Sequence, residues 1–559
     1  MCGIFGVLLS SENNEEINTE IINNYFMIGK KRGPEFSHFS TINNSVVLGF
    51  HRLAINGLND ESNQPLYLND YVLVCNGEIY NHEQLCVQYN FKPKTNSDCE
   101  VILHLYNLMG TKAFDMLDGV FSIILIDKKN NEVIVARDPY GVRPGYLCFY
   151  NNGNIGIASD MEQLLFDKNI ETMNAFEPGT YSVFKQITLD GSKFYIDKKH
   201  DKYFNINHII TPQYATKKPI QYYMLNFLNL FKQGIKKRVE NCERGIVSLL
   251  SGGLDSSIIC AYINKFHKEK FGVGIHTYSI GMENATDLNY AKMVSQHVGT
   301  EHHEIIVSKE DMINAIPNVI KDIETYDTTS VRASVGNWLI GKYIKENSDA
   351  KVVFNGDGSD ELMGGYLYFH KAPNNEAFHN ECVRLLNNIY HFDVLRSDKS
   401  ISSHGLEPRT PFLDKEMTKY YLSIPIEYRN HNKLNQCEKY FIRKAIEIYE
   451  PDLLPKDVLW RKKEAFSDGV SSLEKSWFEI LQESLSSNVN ISNNTVNMVP
   501  TTNEQKYYYE LFVKTFGVDC VNIRPMYWMP RFIDATDSSA RTLNIYDKPN
   551  QDKNNKSSN

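Results

Sequence analysis

The sequence predicts two folded units of different class: an α+β unit with stacked antiparallel sheets between helices, then an α/β unit with a doubly wound parallel sheet and added helices. Two observations support this prediction. In residues 1 to about 212, short β-branched runs are bounded by Asn, Asp and Gly, which is typical of antiparallel sheets packed on one another. From about 217 to 365, helical stretches alternate with β-rich runs, which is typical of a parallel sheet.

Length and composition indicate an ordinary globular protein. The 559 residues are too many for one core. With 42% hydrophobic and 23% charged residues and a net charge of -9, the chain lacks the basic surface that nucleic acid or anionic membranes attract. No apolar segment reaches the roughly 18 residues of a membrane span. We therefore expect small-molecule substrates, no nucleic acid and no membrane; a homodimer is compatible with the sequence, which does not decide the oligomeric state.

The N-terminal segment and the cysteines suggest a cytoplasmic protein. The apolar run near the N-terminus has no basic region before it and no small-residue cleavage site, so we expect it to be retained. The ten cysteines form no CxxC pair and no zinc-spaced cluster, so free thiols in a reducing cytosol are the simplest interpretation. The polar residues 544–559 read as a disordered tail.

The first unit contains six predicted strands and two predicted helices. Helical spacing appears in residues 14–31 and 99–110. The predicted strands are CGIFGVLL, SVVLGFHRLAI, YVLVCNGEIYN, VFSIILID, EVIVARD and YLCFYNN.

Cys2 stands directly after the initiator methionine. If an aminopeptidase removes Met1, which the small side chain of Cys2 permits, the residue carries a thiol beside a free α-amine. An α-amine has a pKa near 8 and a thiol about 8.5, so the amine can accept the thiol proton near neutral pH. Cys2 would then supply both nucleophile and base, although a cysteine at this position, taken alone, more often has no such role.

Five motifs place Cys2 in a functional context. They are MCGIFGV, KRGPEFS, FHRLAI, NGEIYN and ARDPYGVRP. Together they resemble the class II glutamine amidotransferases, N-terminal-nucleophile hydrolases that release ammonia from glutamine. The resemblance implies that Cys2 is the nucleophile and that the Asn76 side chain and the Gly77 N–H form the oxyanion hole. The family commonly has His where this chain has Lys31.

The same resemblance implies a glutamine-binding set. Arg52 would bind the glutamine carboxylate, Asn76 would contribute to the same pocket, and Glu78 and Asp98 would bind the amine. Read from the residues alone, Arg52 could be an ion-pair partner and Asp98 could be the N-cap of the helix in residues 99–110.

The second unit is organised around SGGLDSS, which follows the predicted strand from Gly245 to Leu250 and precedes a helix. Strand, glycine turn and helix N-terminus form an anion-binding layout. The loop lacks the Gly-Lys-Ser/Thr ending of a Walker A loop, so the hydroxyls of Ser251, Ser256 and Ser257 must help to bind phosphate, and Asp255 is free to hold a cation. A glycine turn alone is often only a connection.

The whole SGGLDSS string resembles the PP-loop of ATP pyrophosphatases, which cleave ATP between its α and β phosphates. A second acidic loop, FNGDGSDELMGGY, follows the predicted strand KVVF. The resemblance implies that Asp255 and Asp360 share Mg²⁺, using hard oxygen ligands. Read from residue types alone, the acidic loop could be only a turn. The implied ATP-binding residues are Leu250, Ser251, Gly252, Gly253, Asp255, Ser256, Ser257, Ile280, Gly356 and Lys463.

The segment IETYDTTSVRAS, residues 323–334, resembles the aspartate-binding segment of asparagine synthetases. YFHKAP, HGLEPRTPFLD, WRKKEAFSDG and YWMPRFIDATDSSARTL resemble the same family. Arg332 offers a planar match to a carboxylate, although such an arginine can also simply pair with a protein acid. The implied aspartate-binding residues are Glu324, Thr329, Ser330, Arg332 and Asp357.

The resemblance covers residues 1–543 and implies a glutaminase domain at 1–212 and a synthetase domain at 213–543. The expected reaction is ATP-dependent synthesis of asparagine from aspartate and glutamine through β-aspartyl-AMP. Two departures from the family pattern lie in the acidic loop: Asn355 stands where Ser is usual, and Asp357 stands where Glu is usual. Because the Asp side chain is one methylene shorter, its carboxylate is displaced by more than about an ångström. Two alternatives remain: another PP-loop amidotransferase, such as a β-lactam-forming one, and a fold-retaining protein with impaired synthetase activity.

Overall fold

A computed structural model describes most of the chain. The residues at the predicted domain boundary, 210–217, and the predicted tail lie outside the described residues. The described residues are 2–10, 19–43, 45–187, 193–209, 218–463, 477–485, 496–535 and 537–539.

Among the described residues of the first half, twelve strands form two six-stranded antiparallel sheets. The sequence predicts the stacked antiparallel sheets but only six of these strands, and none of those after residue 154. The strands are β1 Gly3–Leu8, β2 Phe36–Ile42, β3 Val46–Arg52, β4 Leu66–Leu68, β5 Tyr71–Ile79, β6 Gly119–Asp127, β7 Glu132–Arg137, β8 Tyr146–Tyr150, β9 Ile155–Ala158, β10 Ile170–Ala175, β11 Thr180–Ile187 and β12 Lys193–Lys202. The first sheet has the order β10-β8-β9-β1-β3-β2 and the second β12-β11-β7-β6-β5-β4.

The two sheets share one apolar core. Alternate residues of β1 and β3, such as Ile4 and Leu48, face Val74 and Ile124 of the other sheet. The sheets approach so closely that a Cβ on Gly6 would lie 2.9 Å from the Ile124 side chain, which explains the glycine.

Helices cover the outer faces of these sheets. Residues of opposite parity, such as Phe5 and Leu73, point outward and meet the helices. The helices are α1 Thr19–Ile28, α2 His82–Tyr89, α3 Glu100–Met109 and α4 Ala113–Met116. The α+β prediction is confirmed, and the two predicted helices correspond to α1 and α3.

The second half contains a parallel sheet of order β15-β14-β13-β16-β17, built from β13 Ile246–Leu249, β14 His276–Gly281, β15 Glu301–Ile306, β16 Val352–Phe354 and β17 Glu407–Arg409. All four neighbouring pairs run parallel. The four strands predicted from apolar runs are confirmed. The edge strand β17, with the sequence EPR, carries no apolar signal and is new.

Helices lie on both faces of this sheet, as a doubly wound fold requires. Ile246 and Val352 pack against Phe231 and Ile258 on one face, while Val247 faces the opposite core. The helices are α5 Ile220–Glu240, α6 Leu254–Phe271, α7 Thr286–Val298, α8 Lys309–Ile323, α9 Thr328–Asn347, α10 Ser359–Met363, α11 Asn375–Asn388, α12 Asp393–Ser402, α13 Lys415–Ser423, α14 Ile426–Arg429, α15 Tyr440–Tyr449, α16 Lys456–Leu459, α17 Trp477–Ser484 and α18 Asn503–Phe516.

The two halves are joined by a continuous apolar cluster. Cys148 and Tyr150 of β8 belong to the same buried cluster as Val319 of α8 and Phe512 of α18. Lys31, where the amidotransferase family commonly has His, adds a polar contact because its Nζ lies 2.6 Å from Asp322 Oδ1. None of the helices within the described residues is long and apolar enough to cross a membrane.

Candidate active sites

Cys2 lies at the start of β1, in a pocket that fixes its backbone. Its N–H donates to Asn76 Oδ1 at 3.2 Å, and its carbonyl accepts from Arg32 Nε at 3.1 Å. The thiol lies 3.7 Å from the Leu53 carbonyl oxygen. Burial raises the pKa of the Cys2 thiol to about 11, so at neutral pH the sulfur is protonated and needs a base to become a nucleophile.

Asn76 and Gly77 lie side by side on β5, next to Cys2. The Asn76 amide nitrogen has one long contact, 3.5 Å to Ser159 Oγ, and therefore retains N–H capacity for a substrate oxygen. A Cβ on Gly77 would lie 2.4 Å from the Val120 carbonyl oxygen, so no larger residue fits the sheet at this point. The structure brings Asn76 to Cys2, as the sequence predicts for an oxyanion-hole residue.

Arg52 is buried at the end of β3. Its guanidinium donates to Asn63 Oδ1 at 2.8 Å and to the carbonyls of Asn59, Asn56 and Gly57. The side chain therefore folds the 56–63 loop around itself. Within the described part of the chain Arg52 has no ion-pair partner, because these acceptors are neutral, so the simpler interpretation as an ion pair finds no support there.

Asp98 does not cap α3, contrary to the simpler interpretation of this residue. The helix begins after Cys99 without a side-chain cap, and Asp98 Oδ2 instead accepts the Ile79 N–H of β5 at 2.6 Å. Burial raises the pKa of Asp98. The loop before α3 thus turns this carboxylate toward the strand that carries Asn76.

Glu78 faces the second half of the chain. Its Oε2 lies 2.6 Å from Asn56 Nδ2 and 3.3 Å from the Arg409 guanidinium of β17. Burial, followed by repulsion from Glu407, raises the pKa of Glu78 well above its usual range. This predicted glutamine-binding residue is therefore also a contact between the two halves.

Glu78 belongs to a buried network that we call the interface ion cluster. It contains four cations and five carboxylates: Arg32, Arg143, Lys399, Arg409, Glu78, Asp160, Glu324, Asp398 and Glu407. Arg32 contacts Asp160 at 3.2 Å and Asp398 at 2.7 Å, besides the Cys2 carbonyl. The cluster connects the backbone of Cys2 to the second half of the chain.

The SGGLDSS loop connects β13 to α6, as predicted, at the carboxyl edge of the parallel sheet. Ser251 Oγ lies 3.0 Å from Ser256 Oγ and accepts from the Gly253 N–H at 3.3 Å. The neighbouring loop after β16 comes so close that a Cβ on Gly356 would lie 2.8 Å from the Asp255 side chain. The two motif loops therefore form one site.

A cavity of 260 Å³ opens between these loops. Of the predicted residues, it is lined by Leu250, Ser251, Gly253, Asp255, Ser256, Ile280, Thr329, Arg332, Gly356, Asp357, Asp360 and Lys463.

Asp255 and Asp360, the predicted metal pair, converge on one point of the cavity wall. Lys439 Nζ lies 2.6 Å from Asp255 Oδ2 and 2.5 Å from Asp360 Oδ1, and Lys463 Nζ lies 2.7 Å from Asp360 Oδ2. Burial raises the pKa of Asp360, but the two lysines outweigh burial and hold it well below its usual value. Two carboxylates that share one cation in this way fit a Mg²⁺ ion.

Arg332 lies in the cavity wall with both guanidinium edges paired. It contacts Glu504 of α18 at 2.5 Å and Asp537 near the C-terminus at 2.7 Å. Thr329 Oγ1, on the preceding turn of α9, is buried without a hydrogen-bond partner among the described residues. Arg332 thus binds carboxylates in a planar, two-sided way, here with protein acids.

Four predicted residues do not line the cavity. Glu324 belongs to the interface ion cluster, where its carboxylate accepts from the Met161 and Glu162 N–H groups at 2.9 and 3.0 Å. Ser330 Oγ donates to Asp327 at 2.8 Å as part of the N-terminal cap of α9. Gly252 packs against Tyr290 and Ala291 of α7, and Ser257 Oγ donates to the Gly253 carbonyl at 2.7 Å. The prediction that Glu324 binds aspartate is therefore unsupported by its position.

Asn355 and Asp357, the two departures from the family pattern, fit their surroundings. Asn355 Nδ2 donates to Ser397 Oγ at 2.6 Å, and its Oδ1 accepts the Asp357 N–H at 3.2 Å. Asp357 Oδ1 contacts Arg396 at 2.9 Å, while Oδ2 is buried at the cavity with no partner among the described residues. One carboxylate oxygen thus remains available in the cavity.

Lys439 and Arg396 were missed by sequence reasoning. Lys439 is 3% exposed and stands before α15 with a φ of 58°, so the fold holds it in an unusual conformation to reach the two aspartates. Neither residue lies in a recognisable motif, and Lys439 stands among other charged and polar residues, so nothing in the sequence distinguishes it.

Comparisons with known proteins agree with both halves of the site. Residues 1–200 match a family model described as a glutamine amidotransferase domain, and residues 226–377 and 371–517 match one described as asparagine synthase. The chain is 40% identical over 573 residues to the asparagine synthetase (glutamine-hydrolyzing) of Gallus gallus, with 98% of this chain and 99% of the relative covered. The Homo sapiens protein of the same name is 40% identical over 547 residues, with 92% and 94% covered.

Proposed function

The chain belongs to the glutamine-hydrolysing asparagine synthetases, and from this premise we propose how its two sites divide the reaction. The chain makes asparagine from aspartate, glutamine and ATP. The thiol site frees ammonia from glutamine, and the cavity activates aspartate and receives that ammonia. The observation that carries this division is the presence, in one chain, of Cys2 beside Asn76 and of a separate cavity lined by SGGLDSS.

At the thiol site, removal of Met1 would turn the Cys2 nitrogen into a free amine directly beside the thiol. The amine takes the thiol proton, and sulfur attacks the glutamine side-chain carbonyl. Asn76 Nδ2 and the Gly77 N–H stabilise the negative charge on the carbonyl oxygen. The protonated amine gives its proton to the leaving nitrogen, and ammonia departs as the thioester forms. Water then hydrolyses the thioester, which releases glutamate and restores the thiol.

In the same pocket, we assign recognition of the glutamine α-carboxylate to Arg52 and of its α-amine to Glu78 and Asp98. Arg52 is buried and its present acceptors are neutral, so a charged carboxylate is a stronger acceptor than those it holds. The α-amine would replace neutral amide donors at Glu78.

In the cavity, the β-carboxylate of aspartate attacks the α phosphorus of ATP. The α-to-β phosphoanhydride bond breaks, which gives β-aspartyl-AMP and pyrophosphate. Gly253, Ser251 and Ser256 bind the pyrophosphate side, and Lys463 supplies positive charge there. Ammonia then attacks the acyl carbon, and AMP leaves with the bonding electrons.

Asp255 and Asp360 would hold Mg²⁺, which neutralises charge on the pyrophosphate when bound. Both carboxylates already contact a cation, Lys439, at 2.6 and 2.5 Å. When nucleotide binds, Lys439 and Lys463 have phosphate oxygens as new partners, and the two carboxylates become available to the metal.

Arg332, Thr329 and Asp357 are the aspartate-binding residues that we propose. Arg332 recognises the α-carboxylate, Thr329 Oγ1 donates a hydrogen bond, and the partnerless oxygen of Asp357 accepts from the α-amine. Binding at Arg332 requires the substrate carboxylate to take the place of Asp537.

The experiment that tests this function measures asparagine, glutamate, AMP and pyrophosphate with the purified chain. Formation of all four from glutamine, aspartate and ATP supports it. Pyrophosphate release without any need for aspartate would favour a β-lactam-forming type of amidotransferase, and glutamate without pyrophosphate would indicate impaired synthetase activity. We also place the reaction in the cytoplasm, where ten unpaired cysteines are stable.

A further inference from the structure

Away from both chemical sites, three side chains with metal-binding atoms meet at the edge of the parallel sheet. His276 is the first residue of β14 and Glu301 the first of β15, and the two are paired in register. His303 lies two residues further along β15. Because side chains alternate between faces along a strand, all three point to the same face.

The distances between their binding atoms resemble those of a tetrahedral metal site. His276 Nδ1 lies 3.0 Å from His303 Nε2 and 3.6 Å from Glu301 Oε1, and the last two atoms are 3.8 Å apart. Zinc bonds to nitrogen and oxygen of about 2.1 Å give a tetrahedral edge of about 3.4 Å. The three atoms therefore already form one face of such a tetrahedron to within about half an ångström.

Neighbouring groups restrict how these rings are oriented. The His303 ring stacks on Tyr278 at 4.7 Å between centroids with an angle of 15° between planes. The intervening His302 points to the other face, where its ring nitrogens contact Thr277 and Ser279 hydroxyls. The strand register and the stacking on Tyr278 thus hold the three side chains on the same face, close to one another.

We propose that His276, Glu301 and His303 bind one divalent transition-metal ion of the zinc class. Two imidazoles and a carboxylate are a donor set that zinc uses in proteins, with water in the fourth position. The exposure of the site, 69% for the Glu301 side chain, gives water access to that position. When the metal binds, the ring that carries the proton between His276 Nδ1 and His303 Nε2 shifts it, through water, to its other nitrogen, and the ion links β15, an edge strand, to β14.

This site is separate from the proposed Mg²⁺ site in ligand chemistry and in place. Imidazole nitrogens favour zinc, copper or nickel, whereas Mg²⁺ prefers oxygen ligands. The three residues stand at the start or in the first half of β14 and β15, while the cavity lies at the carboxyl ends of the strands. The proposal does not depend on the proposed function.

The test uses the full chain without a histidine tag and Co²⁺ alone as the probe. We expect one tightly bound Co²⁺ per chain with the intense visible absorption of a tetrahedral site, which Zn²⁺ displaces and excess Mg²⁺ does not. His276→Ala and His303→Ala should each weaken binding by at least about tenfold, since changes behind a ligand already cost that much. His208→Ala, which removes an exposed histidine elsewhere, should leave binding unchanged.

A second measurement separates metal binding from folding. Zn²⁺ should raise the midpoint of thermal unfolding of the unmodified chain and of His208→Ala, but not of the double variant His276→Ala/His303→Ala. Equal Co²⁺ binding by the double variant and the unmodified chain would overturn the proposal, as would near-ultraviolet cobalt–thiolate absorption as the only signal, because that would place the ion on a cysteine. Absence of any binding would overturn it as well.

Discussion

The interface ion cluster and the cavity hold their charges in different ways. In the cluster, Arg32 is 1% exposed and is held by two carboxylates and the Cys2 carbonyl. In the cavity, Lys439 stands between Asp255 and Asp360, at the place where we propose a metal binds. The charges of the cluster are paired within the protein and support the thiol site, whereas the cations of the cavity must exchange partners when nucleotide binds. Arg32 therefore keeps its partners when substrates bind, whereas Lys439 changes its partners.

The largest effect that separates the two sites is expected from Cys2→Ala. Loss of the nucleophile should lower glutamine-dependent asparagine formation by at least about a thousandfold. Synthesis from added ammonium should remain, because the cavity is untouched. Both activities are measured by asparagine production with each nitrogen source. Loss of the ammonium-dependent activity in a folded variant would contradict a division into two sites.

Asp255→Asn should impair the cavity and leave the thiol site intact. We expect both nitrogen sources to lose about a hundredfold to a thousandfold in pyrophosphate release, because one of the two carboxylates proposed to hold the metal is neutralised. Glutamate release from glutamine alone gives the internal control for an intact thiol site. Asp519→Asn, at an exposed acid, should behave like the unmodified chain. Full activity of the Asp255 variant would exclude the proposed metal role.

Arg32→Met tests whether the interface ion cluster stabilises the folded protein. Removing one partner from a buried ion network leaves carboxylates unpaired, so the free energy of unfolding in urea should fall by about 3 kcal/mol. Arg531→Met, whose side chain is 59% exposed, serves as the matched control and should change it by less than about 1 kcal/mol. If the Arg32 variant also lost less than about 1 kcal/mol of its free energy of unfolding, the cluster would not be what holds the two halves together.

The smallest expected effect comes from Asp537→Ala. Since Asp537 pairs with Arg332 at the proposed aspartate position, its removal should lower the KM for aspartate by about two- to tenfold and leave kcat unchanged. Asp534→Ala, at a nearby exposed acid, should have no effect. A higher KM would show instead that Asp537 helps to hold the substrate.

Most of the fold could be predicted because its strands bury apolar runs. The prediction missed six of the twelve strands of the first half and the edge strand β17, whose buried Glu407 and Arg409 pair with each other and with Arg143 and Glu78 of the first half. Burial of a charged strand depends on a partner that lies about 260 to 330 residues away in sequence. Hydrophobic patterning carries no information about such a partner.

The candidate sites were predictable where motifs cover them and not where tertiary contacts complete them. Ser251 and Asp255 follow from the glycine loop, but Lys439 reaches the same site from the start of α15, in a stretch without a motif. Glu324 illustrates the opposite case. It stands in a motif, yet an αL conformation at the end of α8 turns it toward the first half of the chain.

The apolar cluster that joins Cys148 and Tyr150 to Val319 and Phe512 bears on how the protein can be divided for study. A gene fragment that ends near residue 212 would expose to water the part of the first sheet around β8, together with four of the nine residues of the interface ion cluster. Such a fragment would expose the kind of apolar patch that promotes aggregation. An isolated glutaminase half would therefore need a redesigned surface, with polar residues in place of those of β8, before its kinetics could be compared with those of the whole enzyme.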